Sequence, residues 1–303
     1  MAITSGIKSV KATINGQSYT LTKNEATGKY EATITAPATS SYKNNGHYFP
    51  VKIDAEDQAG NVVTADDTHA TLGASLKLRV KEKVAPVISK VAPSNGSYLS
   101  TAAPAITAEL RDNDSGVDIS TLILKIDNQQ IANNKITQNA VSSGYDISYT
   151  PDAALVDGAH TVSIQVSDND GNQCTAATTS FTVMTTAPTL EVTAPTDGLK
   201  TNKSALDVTG TTNKDATVTI KLNGVDQGTV TVSAAGGFSK SLTLATEGEN
   251  TITVVAKNLA GVTTTVERKV IYDVTAPVIG AITITPNPVD AGQTYVISVE
   301  VDD

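Results

Sequence analysis

Tryptophan is absent from the 303-residue chain, phenylalanine occurs three times, and aromatic residues make up only 4%. An interior without rings has to be packed from Val, Ile, Leu, Ala and Thr methyl groups, so its cores are thin and a flat sugar-stacking platform lacks material. The single cysteine, Cys174, excludes an internal disulfide and leaves the redox compartment undetermined. Three histidines, His47, His69 and His160, leave imidazole or thiolate metal sites and His-based triads almost nothing to draw on. Arginine is as scarce, at Arg79, Arg111 and Arg268, and 22 basic against 31 acidic side chains leave a formal charge of −9. That balance excludes a nucleic-acid partner, which needs clustered cations to release counterions. No 18 apolar residues run together, and Met1-Ala-Ile-Thr-Ser-Gly-Ile-Lys8 lacks the basic start and apolar stretch of a signal peptide. Neither membrane insertion nor an export signal is expected from the chain as written. There is no Gly-x-Ser-x-Gly elbow, Gly-Lys-Ser/Thr loop or His-Glu-x-x-His pair, so the chain is expected not to be an enzyme.

What is present is enough to fold: 39% hydrophobic and 17% charged residues place the chain among globular proteins, and its length predicts two or three domains. Internal repeats organise it. Val84-Ala-Pro86, Thr186-Ala-Pro188 and Thr275-Ala-Pro277 are spaced by 102 and 89 residues, and Pro93-Ser-Asn-Gly96 and Pro195-Thr-Asp-Gly198 each lie seven residues past the first two. A second series places two-residue hairpin turns at Asn15-Gly16, Asp127-Asn128 and Asn223-Gly224, where residues tolerant of positive φ are needed. Gly28-Lys-Tyr30, Gly144-Tyr145 and Gly237-Phe238 each open an alternating polar/apolar run, such as Tyr30-Glu-Ala-Thr-Ile-Thr35. Asp57-Gln-Ala-Gly-Asn61, Asp168-Asn-Asp-Gly-Asn172 and Asn258-Leu-Ala-Gly-Val262 close a later strand. Short runs of Val, Ile and Thr bounded by Gly, Asn, Asp and Pro, without helical periodicity, predict an all-β chain.

The order Thr/Val-Ala-Pro, Pro-x-x-Gly, Asp-x-Asp-Ser-Gly-Val at Asp112–Val117, hairpin turn and Asp-x-Ala-Gly-Asn resembles the tandem bacterial Ig-like repeats of surface adhesins, S-layer-associated proteins and phage tail or decoration proteins. The resemblance implies tandem Ig-like β-sandwiches in an elongated array, with units at residues 1–83, 84–185 and 186–273 and a partial unit at 274–303. Aligned this way, Ser5-Gly-Ile7 matches Ser115-Gly-Val117, so the first unit reads as missing its leading strands. Ile297-Ser-Val-Glu-Val-Asp-Asp303 matches Ile106-Thr-Ala-Glu-Leu-Arg-Asp112, so the final residues read as leading strands alone. Two or three strands cannot bury a core in water. Three readings stay open: the last strands of one copy complete the first unit of the next, the chain is cut from a longer array, or residues 62–83 supply the first unit with an extra strand. The expected partners are accordingly the chain itself or other structural subunits.

Two stretches are candidates for chemistry. Closely spaced carboxylates at Asp112, Asp114 and Asp118 suit a structural Ca²⁺, although Asp and Asn in such loops also cap their own backbone. No other cofactor is expected. The cluster Tyr42-Lys-Asn-Asn-Gly-His-Tyr-Phe49 has the composition of a binding loop through Tyr42, His47 and Tyr48, or plugs the end of a sandwich. The expected role is a non-catalytic structural or display protein, as a spacer or attachment part of a phage tail, virion or tail-like particle. The alternative is a segment of a bacterial surface adhesin that grips host protein or glycan. Either places it on a virion or an extracellular surface.

Overall fold

The computed structural model describes residues 5–303. The chain forms two compact units, Met1–Ser97 with Ala103–Thr182, and Tyr98–Ala102 with Val183–Asp303. Among the described residues the only helical segments are short 3-10 turns at Ser41–Lys43, Asn45–His47, Gly73–Leu76 and Asn133–Lys135, and none is long and apolar enough to cross a membrane.

The first unit opens with one sheet, in the order Tyr30–Glu31, Gln17–Lys23, Ile7–Ile14, Phe49–Asp57 and Val62–Ala65, with Lys77–Leu78 also on Phe49–Asp57. The Asn15-Gly16 turn has φ of 49° and 76°, the double positive geometry whose twist matches its flanking strands. Residues 62–83 do contribute strands, and both join this same sheet rather than building a layer across it. The core is correspondingly small: Val10, Ala12 and Phe49 are its buried apolar side chains. The alternation from Tyr30 to Thr35 predicts a full strand, yet only Tyr30 and Glu31 pair, against Lys23 and Thr22. Its continuation has no strand beside it among the described residues, and a lone extended run cannot satisfy its ladder hydrogen bonds.

The same unit contains a two-layer sandwich. One layer runs Thr137–Val141, Gly144–Tyr149, Ile106–Arg111, Val87–Ala92; the other includes Gln129–Gln130, Val117–Ile126, Gly158–Asp168 and Ala177–Val183. Period-two alternation puts Ile106, Ala108 and Leu110 inward from one layer and Leu122, Leu124, Val162, Ile164 and Val166 from the other, all at or below 3% exposure. Each such Leu or Ile contributes about 1.5–3 kcal/mol by leaving water. Cys174 is buried as well, its sulfur accepting the N–H of Val166 at 3.3 Å.

In the second unit, Leu190–Ala194, Ala205–Thr212 and Gly237–Thr243 form one layer. The other runs Leu199–Thr201, Thr263–Tyr272, Gly248–Lys257, Thr217–Leu222 and Val225–Val230. Its core gathers Val208, Val218, Ile220, Phe238, Leu244, Ile252, Val254 and Val270. The prolines of both Pro-x-x-Gly motifs, Pro93 and Pro195, follow cis peptide bonds. Beyond Asp273, Val278–Thr285 and Val296–Asp302 make a two-stranded hairpin in which every residue is exposed.

Candidate functional site

Chemistry-bearing side chains converge in the first unit where three segments meet. The chain leaves the strand Ile106–Arg111 and turns sharply, so that Asp112 Oδ1 accepts the N–H groups of Asp114 at 2.9 Å and Gly116 at 2.7 Å. The strand Gly158–Asp168 ends in the second turn, where Asp168 Oδ1 accepts from Asp170 and Asn172 and its Oδ2 from the Asn172 amide. That turn is built three times over: Asp57 holds Asn61 and Asn258 holds Val262 in the same way. The third segment brings Glu82, whose Oε1 accepts the Ser115 hydroxyl at 3.2 Å and whose Oε2 accepts the Val84 N–H at 2.6 Å.

Glu82, Asp112 and Asp168 each place a carboxylate oxygen within 4.8 Å of the others, and both aspartates are buried. Burial pushes the Glu82 carboxyl above its ordinary value, and the proton it shares with Asp168 together with the Asp112 charge add to that push against the hydrogen bonds from Val84 and Ser115. At Asp168 burial acts in the same upward sense, but the amide and N–H of Asn172 and the Glu82 proton outweigh it and hold the group below the usual carboxylate range. Glu82 and Asp168 therefore share a proton, and the oxygens of the trio are of the hard type that suits Ca²⁺.

The expected Ca²⁺ trio is not brought together. Asp112 faces the cluster, but Asp114 turns to the Ser40 N–H at 3.1 Å and lies 3.7 Å from the Lys43 ammonium. Asp118 caps the Ser120 N–H and hydroxyl. Short side chains two residues apart on a turning loop point in different directions, which local spacing alone does not reveal. Glu82 was missed because it lies 30 residues before Asp112 and outside any acidic motif.

In the aromatic stretch, Tyr42 and His47 stack at 4.0 Å between ring centroids, and His47 Nδ1 lies 2.7 Å from the Tyr42 carbonyl. With Arg79, Lys81 and Asp170 they line a cleft of about 170 Å³. Tyr48 stands apart from this cleft: its hydroxyl donates to Asp67 at 2.7 Å and the Lys77 ammonium sits over its ring. Phe49 is the residue that plugs the core.

His160 proves to be a buried strand-start residue. Its Nδ1 lies 2.6 Å from Asp127 Oδ2 and its Nε2 2.8 Å from the Val156 carbonyl. Asn250 takes the equivalent place in the second unit, held by Asn223 of the corresponding hairpin turn.

Residues 96–185 match the family model of the bacterial Ig-like domain, and residues 188–274 match that of glucodextranase domain B. No curated protein matches the chain. Among solved structures, the fibronectin(III)-like modules of Clostridium thermocellum CbhA are 19% identical, with 61% of this chain and 94% of that one covered and a TM-score of 0.41. A tetra-tandem repeat from the extending region of a large adhesion protein is 16% identical, covering 99% of this chain and 81% of its own, at a TM-score of 0.34. A three-Ig fragment of titin is 14% identical over 89% of each chain, at 0.38. Residues 96–185 and 188–274 are thus two consecutive Ig-like β-sandwich repeats, the first of the bacterial Ig-like type, each built on its own sheets and carrying one positive-φ hairpin turn, at Asp127-Asn128 and Asn223-Gly224.

Proposed function

We propose that the chain is a non-catalytic spacer and attachment element displayed on the outside of a virion tail, a tail-like particle or a cell. The observation that carries this reading is how residues 81–84 are held. The Glu82 N–H donates to Asp170 Oδ2 at 3.0 Å, its carbonyl accepts the Asn172 amide at 3.1 Å, and the Lys81 ammonium reaches the Asp170 carbonyl at 3.0 Å. A flexible linker leaves such groups to water, whereas these are fixed on the sandwich that follows, as an ordered spacer requires.

A further feature supports it. Attachment falls to the Tyr42–His47 stack, whose exposed imidazole stands beside Arg79, Lys81 and Asp170 and suits a polar target such as a surface protein or glycan. Immunogold labelling of intact particles and intact cells from the producing culture tests the reading. Gold on exteriors is expected, with particle or cell telling the tail from the adhesin; label confined to the contents of lysed cells would overturn it. Y42A and H47A are expected to abolish capture of that surface at unchanged melting temperature.

A further inference from the structure

We propose that the strand Val296–Asp302 of one copy pairs along residues 30–34 of a second copy, so that the exposed hairpin continues from the open edge of Tyr30–Glu31 and covers the cleft beside the first sheet of its neighbour. The sandwich of the first unit shows what such a hairpin does when it is covered. There Val87–Ala92 pairs with Ile106–Arg111, with Val87 opposite Arg111, Ile88 opposite Leu110 and a register slip beyond Ser89. The free edge of Ile106–Arg111 then pairs with Gly144–Tyr149, placing Leu110 opposite Tyr145, Ala108 opposite Ile147 and Ile106 opposite Tyr149.

The exposed hairpin has the same build. Val278 lies opposite Asp302, Ile279 opposite Val301, and a slip follows before Ile282. By position, Ile297, Val299 and Val301 correspond to the buried Ile106, Ala108 and Leu110, yet they stand 55%, 48% and 58% exposed. Such a row on an open edge is a template for pairing.

The recipient is the open edge of Tyr30–Glu31 together with the unpaired run that continues it. Tyr30 corresponds to Tyr145, so the register seen in the sandwich sets Tyr30 opposite Val301, Ala32 opposite Val299 and Ile34 opposite Ile297. All six apolar side chains then share one face, toward the cleft that Ile34 lines with Ile14, Tyr19 and Leu78. On the outer face Lys29 comes level with Asp302, an opposite-charge pair, while Glu31 meets Glu300.

The test uses full-length chains in analytical ultracentrifugation, with circular dichroism to confirm that each variant keeps its strands. The unsubstituted chain is expected to form oligomers whose mass grows with concentration. I34D keeps an intact hairpin and V299D keeps an intact recipient run, so each alone is monomeric while a mixture of the two gives a 1:1 dimer that grows no further. A32D replaces I34D should that variant lose its fold. Register is read by oxidising a mixture of T33C and S298C chains, which are expected to cross-link faster than T33C with E300C. A chain that stays monomeric at every concentration, association that survives I34D and V299D, or a mixture that fails to dimerise would overturn the proposal.

Discussion

At the scale of single residues the sharpest consequence lies at His160. With a carboxylate on Nδ1 and a carbonyl on Nε2, both ring nitrogens have to donate, which demands the imidazolium. Burial opposes the charge, but the Asp127 hydrogen bond, the Val156 carbonyl and the Asp127 charge outweigh it and raise the group above its ordinary value. A histidine whose folded value is raised contributes stability that is fully present below its unfolded value, about 6.5, and is lost as pH rises through the folded one. The melting temperature of the sandwich that holds it is therefore expected to fall as pH rises from about 6.5 through the raised folded value. H160N, which installs the residue found at Asn250, is expected to flatten that profile when followed by calorimetry. Backbone geometry sets a second residue-scale limit. Gly144 has φ of 146°, and a Cβ there would lie 2.0 Å from the Leu110 carbonyl oxygen. G144A is expected to cost on the order of 2–3 kcal/mol in urea unfolding through strain and a displaced ladder partner.

At the scale of elements, the ordered segment 81–84 carries its own pH signature. Glu82 binds its proton more tightly in the folded chain, so its contribution is present below about 4.5 and is lost as pH rises through the raised folded value. E82Q removes that ionisation while keeping an acceptor for Ser115 or Val84. Above the titration of Glu82 the variant is expected to melt higher than the unsubstituted chain, and below it the two converge; a constant offset at all pH values would contradict the proton-sharing reading. Elements also show where the sequence was readable. Asn15-Gly16, Asp127-Asn128 and Asn223-Gly224 all adopt positive φ as their residue types require, because turn chemistry is local. The run after Glu31 was not readable, since whether an alternating segment becomes a strand depends on an edge supplied from far away in the chain. The carboxylate cluster was half readable: Asp112 and Asp168 sit in visible turn motifs, whereas Glu82 reaches them only through the fold.

Across the whole molecule, stability is unevenly spread. The first sheet buries Val10, Ala12 and Phe49, whereas the second unit closes a full two-layer core around Ile220, Ile252 and Val254 at 0% exposure. Local opening follows buried apolar contact, so amides of Ile7–Ile14 and Phe49–Asp57 are expected to exchange faster than those of Gly248–Lys257. Hydrogen exchange on dilute protein reads this directly, and equal protection in the two regions would refute it. Raising the concentration is expected to slow exchange in the first sheet if a second copy covers it, and to leave Gly248–Lys257 unchanged.

Cys174 gives the chain a built-in gauge. One thiol per molecule, sealed inside a sandwich and tied to the Val166 N–H, meets a maleimide dye only when the strands around it part. A chain stretched between its ends would thus record, one label at a time, how often that particular sandwich gives way, without any engineered reporter.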